Sequence, residues 1–241
     1  MDLNNFKYNK AFLHDEKMIN GKFVIGNMIC INTKGEKLFE LPDKEMICVD
    51  FLEDDFTQVA LENKIAFINS KGEFLTGFVY GRILDYDEEY KLYSVTKFIE
   101  NDIIKYGCIN NKGVEVISCI YDSEILFFDD IATVKKGEFY GGIDTAGKII
   151  IPFEYKRLGF YHEGLIVAKN FNDETGVIDV NNKIIIPFGK YSSVSSFSCG
   201  FSFAYSKEYG NVYIDKNGEI LELKTTIENK GIKLWQINNS K

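Results

Sequence analysis

The residues able to do acid–base or nucleophilic chemistry are few in this chain. Its two histidines are His14, in "FLHDEK", and His162, in "FYHEGL". His162 stands where a polar turn residue is expected before Gly164, and we predict that both histidines are solvated rather than catalytic. Because no histidine has another His or a Cys at ligand or catalytic spacing, the local sequence predicts neither a zinc site nor a nucleophile pair. A triad of residues distant in sequence stays open.

The cysteines are odd in number and far apart, without a CxxC pair. They are Cys30, Cys48, Cys108, Cys119 and Cys199. Contexts such as "MICIN" and "YGCIN" are those of hydrophobic strands, where a cysteine behaves as a small apolar core residue. We therefore predict a structural role for the cysteines and a reducing, cytoplasmic location for the protein.

Acidic residues are densest in two stretches, "EDD" and "DYDEEY". Glycosidase chemistry needs two carboxylates on opposite sides of a cleft, one with a raised pKa, and neighbours in one acidic loop satisfy neither condition. Loops displayed on a rigid scaffold often bind partners, so we predict a partner-binding surface here, with a plain solvated loop as the alternative. The candidate contacts are Glu53, Asp54, Asp55, Asp85, Asp87, Glu88 and Glu89.

Composition limits the class of partner. The 241 residues are 45% hydrophobic, with 20 Phe and 14 Tyr, which is enough for a substantial core. The formal charge of −8 disfavours nucleic acid, because phosphate binding needs an excess of clustered Lys and Arg. No apolar run approaches the roughly 20 residues of a membrane span, and the start "MDLNNFKYNK" has no apolar signal core. Phosphate-binding loops are also absent, so the sequence predicts no cofactor.

A repeated sequence motif indicates the strands and turns that must hold these residues. "YGGIDTAGKIIIPFEY" and "TGVIDVNNKIIIPFGKY" share a frame with four weaker copies, each with Ile four residues and Asn or Asp three residues before an anchor. The anchors are Gly35, Gly72, Gly113, Gly147, Asn182 and Gly218, and the polar residues are Asn32, Asn69, Asn110, Asp144, Asp179 and Asp215. Anchors follow one another at 34 to 41 residues, which indicates six structural repeats.

The recurring Asn or Asp and the anchor three residues later have the chemistry of a turn. Asn or Asp at the first turn position can accept a hydrogen bond from the backbone N–H two residues on, and the anchor needs positive φ, which Gly and Asn adopt best. Each frame therefore predicts a hairpin. Calcium is a weaker reading of the recurring Asp144, Asp179 and Asp215, because each repeat supplies one such group and three supply Asn instead.

The segments before the anchors also alternate apolar and polar residues, as in "EGLIVAK" and "CGFSFAY". This period of two predicts a half-buried strand that pairs with the "GGID"-type strand, giving three or four short antiparallel strands per repeat. Helical periodicity appears only weakly, around "NKAFLHDEKMI". One tyrosine follows each of four hairpins, and a fixed position favours packing over binding: Tyr80, Tyr121, Tyr155 and Tyr191.

The repeat resembles the WG-repeat family, also called KWG repeats. The family pattern is an aromatic-x-x-Gly-apolar-Ala segment, a Trp-Gly pair, and an apolar-Ile-Asp-x-x-Gly-x-apolar-apolar-Pro segment ending near a Tyr. "FYHEGLIVAK" and the two quoted phrases match it best, over about residues 18 to 223. The Trp of the pair is replaced by Tyr106, Tyr140 or Thr175, and the only Trp, Trp235, lies outside the frames.

Six sheet-like repeats must stack on neighbours, since one alone cannot bury a face. We predict a single all-β domain over residues 1–241, with caps at 1–17 and 224–241. The repeats form either a curved, propeller-like ring, which we favour slightly, or an open β-solenoid.

The resemblance implies a bacterial protein with a binding role rather than an activity, and the rich Lys, Asn and Ile usage is compatible with an AT-rich bacterium or its phage. We predict a non-catalytic protein-binding scaffold, in a sharper version an acidic antagonist of a nuclease or toxin that offers a basic surface. The alternatives are a glycan- or small-molecule-binding protein or enzyme with a pocket between repeats, and a structural domain of a larger assembly.

Overall fold

The computed structural model is built from β-strands alone over the residues it describes, which are 10–19, 22–32, 34–48, 51–53, 56–99, 103–221, 223–229 and 232–237. The chain divides into two compact units, Met1–Glu124 and Ile125–Lys241. Within those described ranges, no helix has the length and apolar character needed to span a bilayer. The all-β prediction is confirmed.

The first unit holds a three-stranded sheet and a seven-stranded sheet of order β10-β9-β8-β7-β6-β5-β4. Its strands are β1 (Lys10–Ile19), β2 (Lys22–Asn32), β3 (Lys37–Glu40), β4 (Phe51–Glu53), β5 (Phe56–Leu61), β6 (Lys64–Asn69), β7 (Tyr80–Asp87), β8 (Leu92–Phe98), β9 (Ile104–Ile109) and β10 (Glu115–Tyr121). All neighbouring strands pair antiparallel.

The second unit holds separate small sheets, β11-β12-β13, β14-β15-β16-β17, β18-β19-β20 and β21-β22. Its strands are β11 (Ile131–Lys136), β12 (Phe139–Asp144), β13 (Ile149–Tyr155), β14 (Arg157–Leu158), β15 (Leu165–Lys169), β16 (Thr175–Asp179), β17 (Ile184–Tyr191), β18 (Ser193–Val194), β19 (Phe201–Ser206), β20 (Gly210–Asp215), β21 (Leu223–Asn229) and β22 (Ile232–Ile237).

All six predicted anchor turns are present, with the predicted chemistry. The Asn or Asp Oδ1 accepts the backbone N–H groups two and four residues later at 2.8–3.1 Å. Each anchor has φ between +63° and +81°, and its N–H donates to the carbonyl of the Asn or Asp at 2.9–3.1 Å. The second hydrogen bond, to the N–H four residues on, was not predicted. It explains why a short side chain with an oxygen recurs without exception.

Within the second unit the small sheets stack face to face. One face of the β14–β17 sheet, including Ile166 and Ala168, packs with Ile151 and Tyr155 of β13. The opposite face, including Val177, packs with residues of the β18–β20 sheet such as Ala204 and Ile214. Because strand residues alternate between faces, one sheet serves two neighbours.

The core of the seven-stranded sheet in the first unit is aromatic. Phe56 stacks on Phe67 with ring centroids 4.9 Å apart, and Tyr93 lies 4.8 Å from Phe56. A second core cluster joins Met28 and Leu41 with residues of β5 and β6. The ladder between β6 and β7 is the shortest in this sheet, since these two strands pair only at Ile65 and Tyr80.

Several sequence predictions are decided by burial and pairing. The four tyrosines are 3–6% exposed, as expected for packing residues. Cys30, Cys48, Cys108 and Cys119 are buried, whereas Cys199 is exposed. The weak helical signal at the N-terminus is wrong, because Lys10–Ile19 is a strand that pairs with β2 from end to end. The single-domain boundaries, and the choice between a ring and a solenoid, stay predictions.

Candidate protein-binding surfaces

The acidic stretch "DYDEEY" lies on an enlarged hairpin. The strand β7 occupies the place before β8 and β9 that β14 and β18 occupy in the later sheets. It has eight residues, whereas β14 and β18 have two each. The anchors Gly72 and Gly113 are 41 residues apart, and the extra residues of this repeat therefore lengthen a strand rather than form a loop. The expectation that "DYDEEY" forms a loop is corrected accordingly, because Asp85 and Asp87 are strand residues and only 88–91 form the turn.

The tip of this hairpin exposes two carboxylates. Glu88 and Glu89 are exposed, and the Asp87 carboxylate accepts the N–H groups of Glu89 and Tyr90 at 3.1 and 3.2 Å. Asp87 therefore stabilises the turn, while the two glutamates point their charge to solvent. Asp85 lies on β7 and Glu53 on β4, but their side chains lie outside the described residues, as do Asp54 and Asp55 altogether. The structure thus groups Asp87, Glu88 and Glu89, and leaves the "EDD" prediction untested.

A groove runs beside β7, at the point where the end of the β5–β6 hairpin separates from β7. The groove encloses about 530 Å³, and its apolar surface includes Leu84, Phe98 and Ile104, with Arg82 and Lys64 at its sides. Register places Arg82, Thr96 and Tyr106 in one row across three strands, so they share a face. We name this feature the β7 groove, defined by Ile65, Arg82, Leu84, Thr96, Phe98 and Ile104.

An aromatic face covers one side of the β19–β20 hairpin. Phe203, Tyr205 and Tyr213 are 42%, 47% and 49% exposed, and Phe201 is half-buried. Tyr213 contacts both phenylalanines edge-on, with ring centroids 5.7 Å apart in each pair. The opposite face carries Ser202 and Ala204, both of which are buried. We name Phe201, Phe203, Tyr205 and Tyr213 the aromatic face.

Sequence reasoning missed the aromatic face as a surface. The alternation in "GFSFAYS" predicts a strand with two unlike faces, but alternation does not say which face a neighbour covers. The equivalent positions 36 residues earlier are Leu165, Val167 and Val177. Leu165 and Val177 are 8% and 0% exposed, so the same position in the preceding sheet is core.

A polar cluster with shifted pKa values lies on the seven-stranded sheet. The Tyr80 hydroxyl donates to Glu115 Oε1 at 3.1 Å, and the Lys97 ammonium forms an ion pair with the same carboxylate. Burial and the nearby negative charge of Glu115 raise the pKa of Tyr80. Burial acts to raise the pKa of Glu115 as well, but the hydrogen bond and charge of Lys97 outweigh it, and the pKa is lowered.

The buried thiols beside this cluster are poor nucleophiles. Burial raises the pKa of Cys108 to about 12, with a further contribution from Cys119. Burial and the charge of Glu115 likewise raise the pKa of Cys119 to about 12. Because the thiolate is the reactive form, both side chains act as small apolar core residues, as the sequence predicts.

His162 belongs to a tight turn, as predicted. Its backbone N–H and carbonyl exchange hydrogen bonds with Leu165 at 3.0 Å, with Glu163 and Gly164 at positive φ between them. The imidazole lies 5.4 Å from the ring of Phe128. The Glu163 carboxylate accepts the N–H of Gly200 at 3.0 Å, which ties this turn to the corresponding turn of the next sheet.

The recurring aspartates serve the turns. In Asp144, Asp179 and Asp215 one carboxylate oxygen already accepts two backbone N–H groups. In the part of the chain that the structure describes, no cluster of three or more His, Cys, Asp or Glu side chains has an arrangement that could hold a metal ion.

These features define an antiparallel β-repeat protein whose successive hairpins share one turn chemistry. The family model for the WG-containing repeat matches three consecutive segments, residues 106–138, 140–173 and 176–207. The resemblance to the WG-repeat family is therefore confirmed for these three segments. The glycines of the degenerate Trp-Gly pairs have a structural reason, because a Cβ on Gly141 or Gly176 would lie 2.8 Å from the ring of Phe153 or Phe188.

No protein of curated function matches the chain at a significant level. Among solved structures, the WD40 β-propeller domain of Doa1 is 11% identical over 70% of this chain and 64% of its own length, with a TM-score of 0.34. Hsv2p of Kluyveromyces lactis is 11% identical over 93% of this chain and 84% of its own, with a TM-score of 0.35. Apo AztD from Citrobacter koseri is 8% identical over 86% and 70%, with a TM-score of 0.36. The chain spans less than two thirds of the Doa1 domain.

Proposed function

We propose that this β-repeat chain is a non-catalytic scaffold that binds another protein. A β-rich repeat architecture is consistent with protein interaction, since rigid stacked sheets present extended surfaces at fixed positions. The observation that carries the proposal is the aromatic face of the β19–β20 hairpin. It places three side chains that are 42–49% exposed, all of them aromatic, on one side of two paired strands.

Leaving such an aromatic surface exposed to water is unfavourable. Contiguous exposed apolar patches are uncommon on monomeric proteins and mark interaction sites when they occur. Aromatic residues are enriched at protein interfaces, where their large area and low conformational entropy favour binding. A terminal repeat that serves only as a cap would carry a polar outer face instead.

The positions of the strongly shifted titratable groups support the non-catalytic part of the proposal. The strongly shifted groups Tyr80, Cys108 and Cys119 are core residues, and each shift has burial as its main cause. None of the three lines the β7 groove. An enzyme site would be expected to combine a cleft with perturbed acid–base groups.

The finer proposal is that the partner offers a basic surface and that the chain acts as its antagonist. Glu88 and Glu89 are exposed at the tip of the β7–β8 hairpin, on a chain with a formal charge of −8. Complementary charge would accelerate association and make it sensitive to salt. A nuclease or toxin with a basic cleft is the class of partner that this charge fits best.

The scaffold proposal is tested by affinity capture from a lysate of the source organism. The tagged wild-type chain is compared with Phe203→Ser, which removes a ring from the aromatic face. The control is Ile184→Ser, which removes an apolar residue elsewhere that is 52% exposed, against 42% for Phe203. We expect a partner, identified by mass spectrometry, that is retained by the Ile184 variant and lost by the Phe203 variant. Equal recovery with all three chains would contradict the assignment of the aromatic face.

The antagonist proposal is tested on the captured partner. Asp87→Asn, Glu88→Gln and Glu89→Gln together remove three charges, and the Asn retains an oxygen for the turn bonds of Asp87. We expect a slower association rate at low salt and little difference at high salt. An association rate unchanged at every salt concentration would remove the acidic tip from the interface.

A further inference from the structure

The β7 strand has a longer open edge than its counterparts β14 and β18, which are edge strands of two residues each. Over the described residues, the ladder between β6 and β7 consists of the single pair Ile65–Tyr80, so Gly81 to Leu84 run on past it with no strand opposite. On its other side β7 pairs with β8 along its whole length. The edge is therefore rigid and yet presents backbone donors and acceptors to solvent.

Open edges of this length are normally avoided. A strand edge pairs readily with another chain, and proteins limit the hazard by keeping edge strands very short. The corresponding first strands β14 and β18 obey this rule, with two residues each. In β7 the rule is broken, and the extra length is supported by the stacked rings of Tyr86 and Tyr93, whose centroids lie 4.5 Å apart.

The β7 groove lies directly beside this edge. Arg82 and Leu84 of β7 line it together with Phe98 and Ile104 of the next two strands, and Ile104 is 46% exposed. A strand added to the edge would point every second side chain toward this apolar surface. In the described part of the chain, Arg82 and Lys64 make no ion pair, so the sides of the groove remain available to polar groups of a ligand.

We infer that the β7 edge binds an extended segment of a partner protein by β-strand addition. Backbone hydrogen bonds to the edge supply affinity, and alternate apolar side chains that enter the β7 groove supply selectivity. A basic residue at the end of the segment nearest the hairpin tip is favoured by Glu88 and Glu89. The inference rests on the proposed scaffold function, and it adds the kind of segment that is bound and the part of the chain that binds it.

The test uses a fluorescein-labelled heptapeptide, Lys-Val-Thr-Val-Thr-Val-Lys, with both ends blocked. Its binding to the full chain is followed by fluorescence anisotropy and by the amide signals of Arg82 to Leu84 in NMR spectra. Two isomers of the peptide are N-methylated at two positions each, one at the first two valines and one at the two threonines, because the amides of alternate residues point to opposite edges of a strand. We expect one isomer to bind like the parent peptide and the other to bind at least 10-fold more weakly.

Equal affinity of the two isomers, whether both bind or neither does, would overturn strand addition. Failure of the parent peptide to bind at millimolar concentration would also overturn it.

The variant Leu84→Asp places a charge in the groove and should lower the affinity for the parent peptide at least 5-fold, whereas the control Leu84→Met should not. The variant Phe203→Ser should bind the peptide like wild type. If Phe203→Ser loses the lysate partner but still binds the peptide, the aromatic face and the β7 edge are separate sites. Failure of the scaffold proposal can then be distinguished from failure of strand addition.

Discussion

The Tyr191 hydroxyl donates a hydrogen bond to the carbonyl oxygen of Gly218, 2.9 Å away and 27 residues later in the chain. Tyr155 reaches the preceding anchor in the same way, since its hydroxyl donates to Asn182 Oδ1 at 2.6 Å. The tyrosine of one repeat thus contacts the anchor turn of the next. This explains why tyrosine, rather than phenylalanine, stands at a position that is almost fully buried.

Replacing Tyr191 by Phe should therefore destabilise the protein although the ring remains. The Gly218 carbonyl keeps the ammonium of Lys190 as a donor at 2.7 Å, so only one hydrogen bond is lost. We expect a loss of about 1 kcal/mol in the free energy of unfolding, measured by urea denaturation. Tyr213→Phe, at a tyrosine that is 49% exposed, is the control and should change stability little. Equal stability of the two variants would show that the Tyr191 bond contributes nothing.

Gly218 should tolerate no side chain, for two separable reasons. Its φ is +77°, and a Cβ would lie 2.9 Å from Cδ1 and Cγ1 of Ile186. The backbone strain and the overpacking each cost about 1 to 2 kcal/mol, so Gly218→Ala should lose about 2 to 4 kcal/mol.

Gly200→Ala separates the two effects in the same unit. Its φ is +85°, but no atom lies within 4 Å of the added Cβ, so only the strain of about 1 kcal/mol applies. If thermal or urea denaturation shows the same loss for both variants, the contact with Ile186 is not tight in solution.

The carboxylate of Asp179 should be replaceable by an amide but not by a methyl group. Its Oδ1 accepts the N–H groups of Asn181 and Lys183, each at 2.9 Å, and Asn supplies the same oxygen in the three earlier repeats. We expect Asp179→Asn to stay within about 0.5 kcal/mol of wild type and Asp179→Ala to lose about 1 to 2 kcal/mol. Millimolar calcium should leave the Tm of wild type unchanged. If calcium raised the Tm of wild type but not that of Asp179→Asn, a calcium site would be favoured instead.

Glu115 should contribute to acid sensitivity. Burial opposes its ionisation, but the hydrogen bond and charge of Lys97 and the hydroxyl of Tyr80 outweigh this, so its pKa is lower in the folded state. A carboxyl with a lowered folded pKa stabilises the fold above its unfolded pKa of about 4.3, and this contribution is lost as the pH falls through the folded pKa. Stability of wild type should therefore fall from about pH 5 downward.

Glu115→Gln should lose part of this slope, and Glu138→Gln, at an exposed carboxylate, should keep it. The measurement is the urea midpoint as a function of pH for the three proteins. A slope that is the same in all three would mean that the Lys97–Glu115 pair does not persist in solution.

The local part of the fold could be predicted from the sequence because it is fixed by chemistry within a few residues. Asn or Asp three residues before an anchor Gly or Asn determines a turn whose hydrogen bonds all lie within five residues, and all six such turns are present. Alternating apolar residues likewise predict the hairpins, of which β15–β16 pairs over its whole length.

The remainder depends on partners that are distant in sequence. Lys10–Ile19 is a strand because β2 pairs with it, although its own apolar pattern favours a helix weakly. The length of β7 and the open edge beside it depend on where the β5–β6 hairpin ends. The exposure of Phe203, against the burial of Val177 at a corresponding face, depends on whether another sheet lies on top.

The sequence by itself thus determined the repeats, their turns and the buried tyrosines, because these follow from backbone conformation and side-chain type. Only the tertiary structure decided which faces and edges remain open, because burial depends on neighbouring sheets that the local pattern does not encode. For this protein those open surfaces, the aromatic face and the β7 edge, are the ones from which its function is inferred.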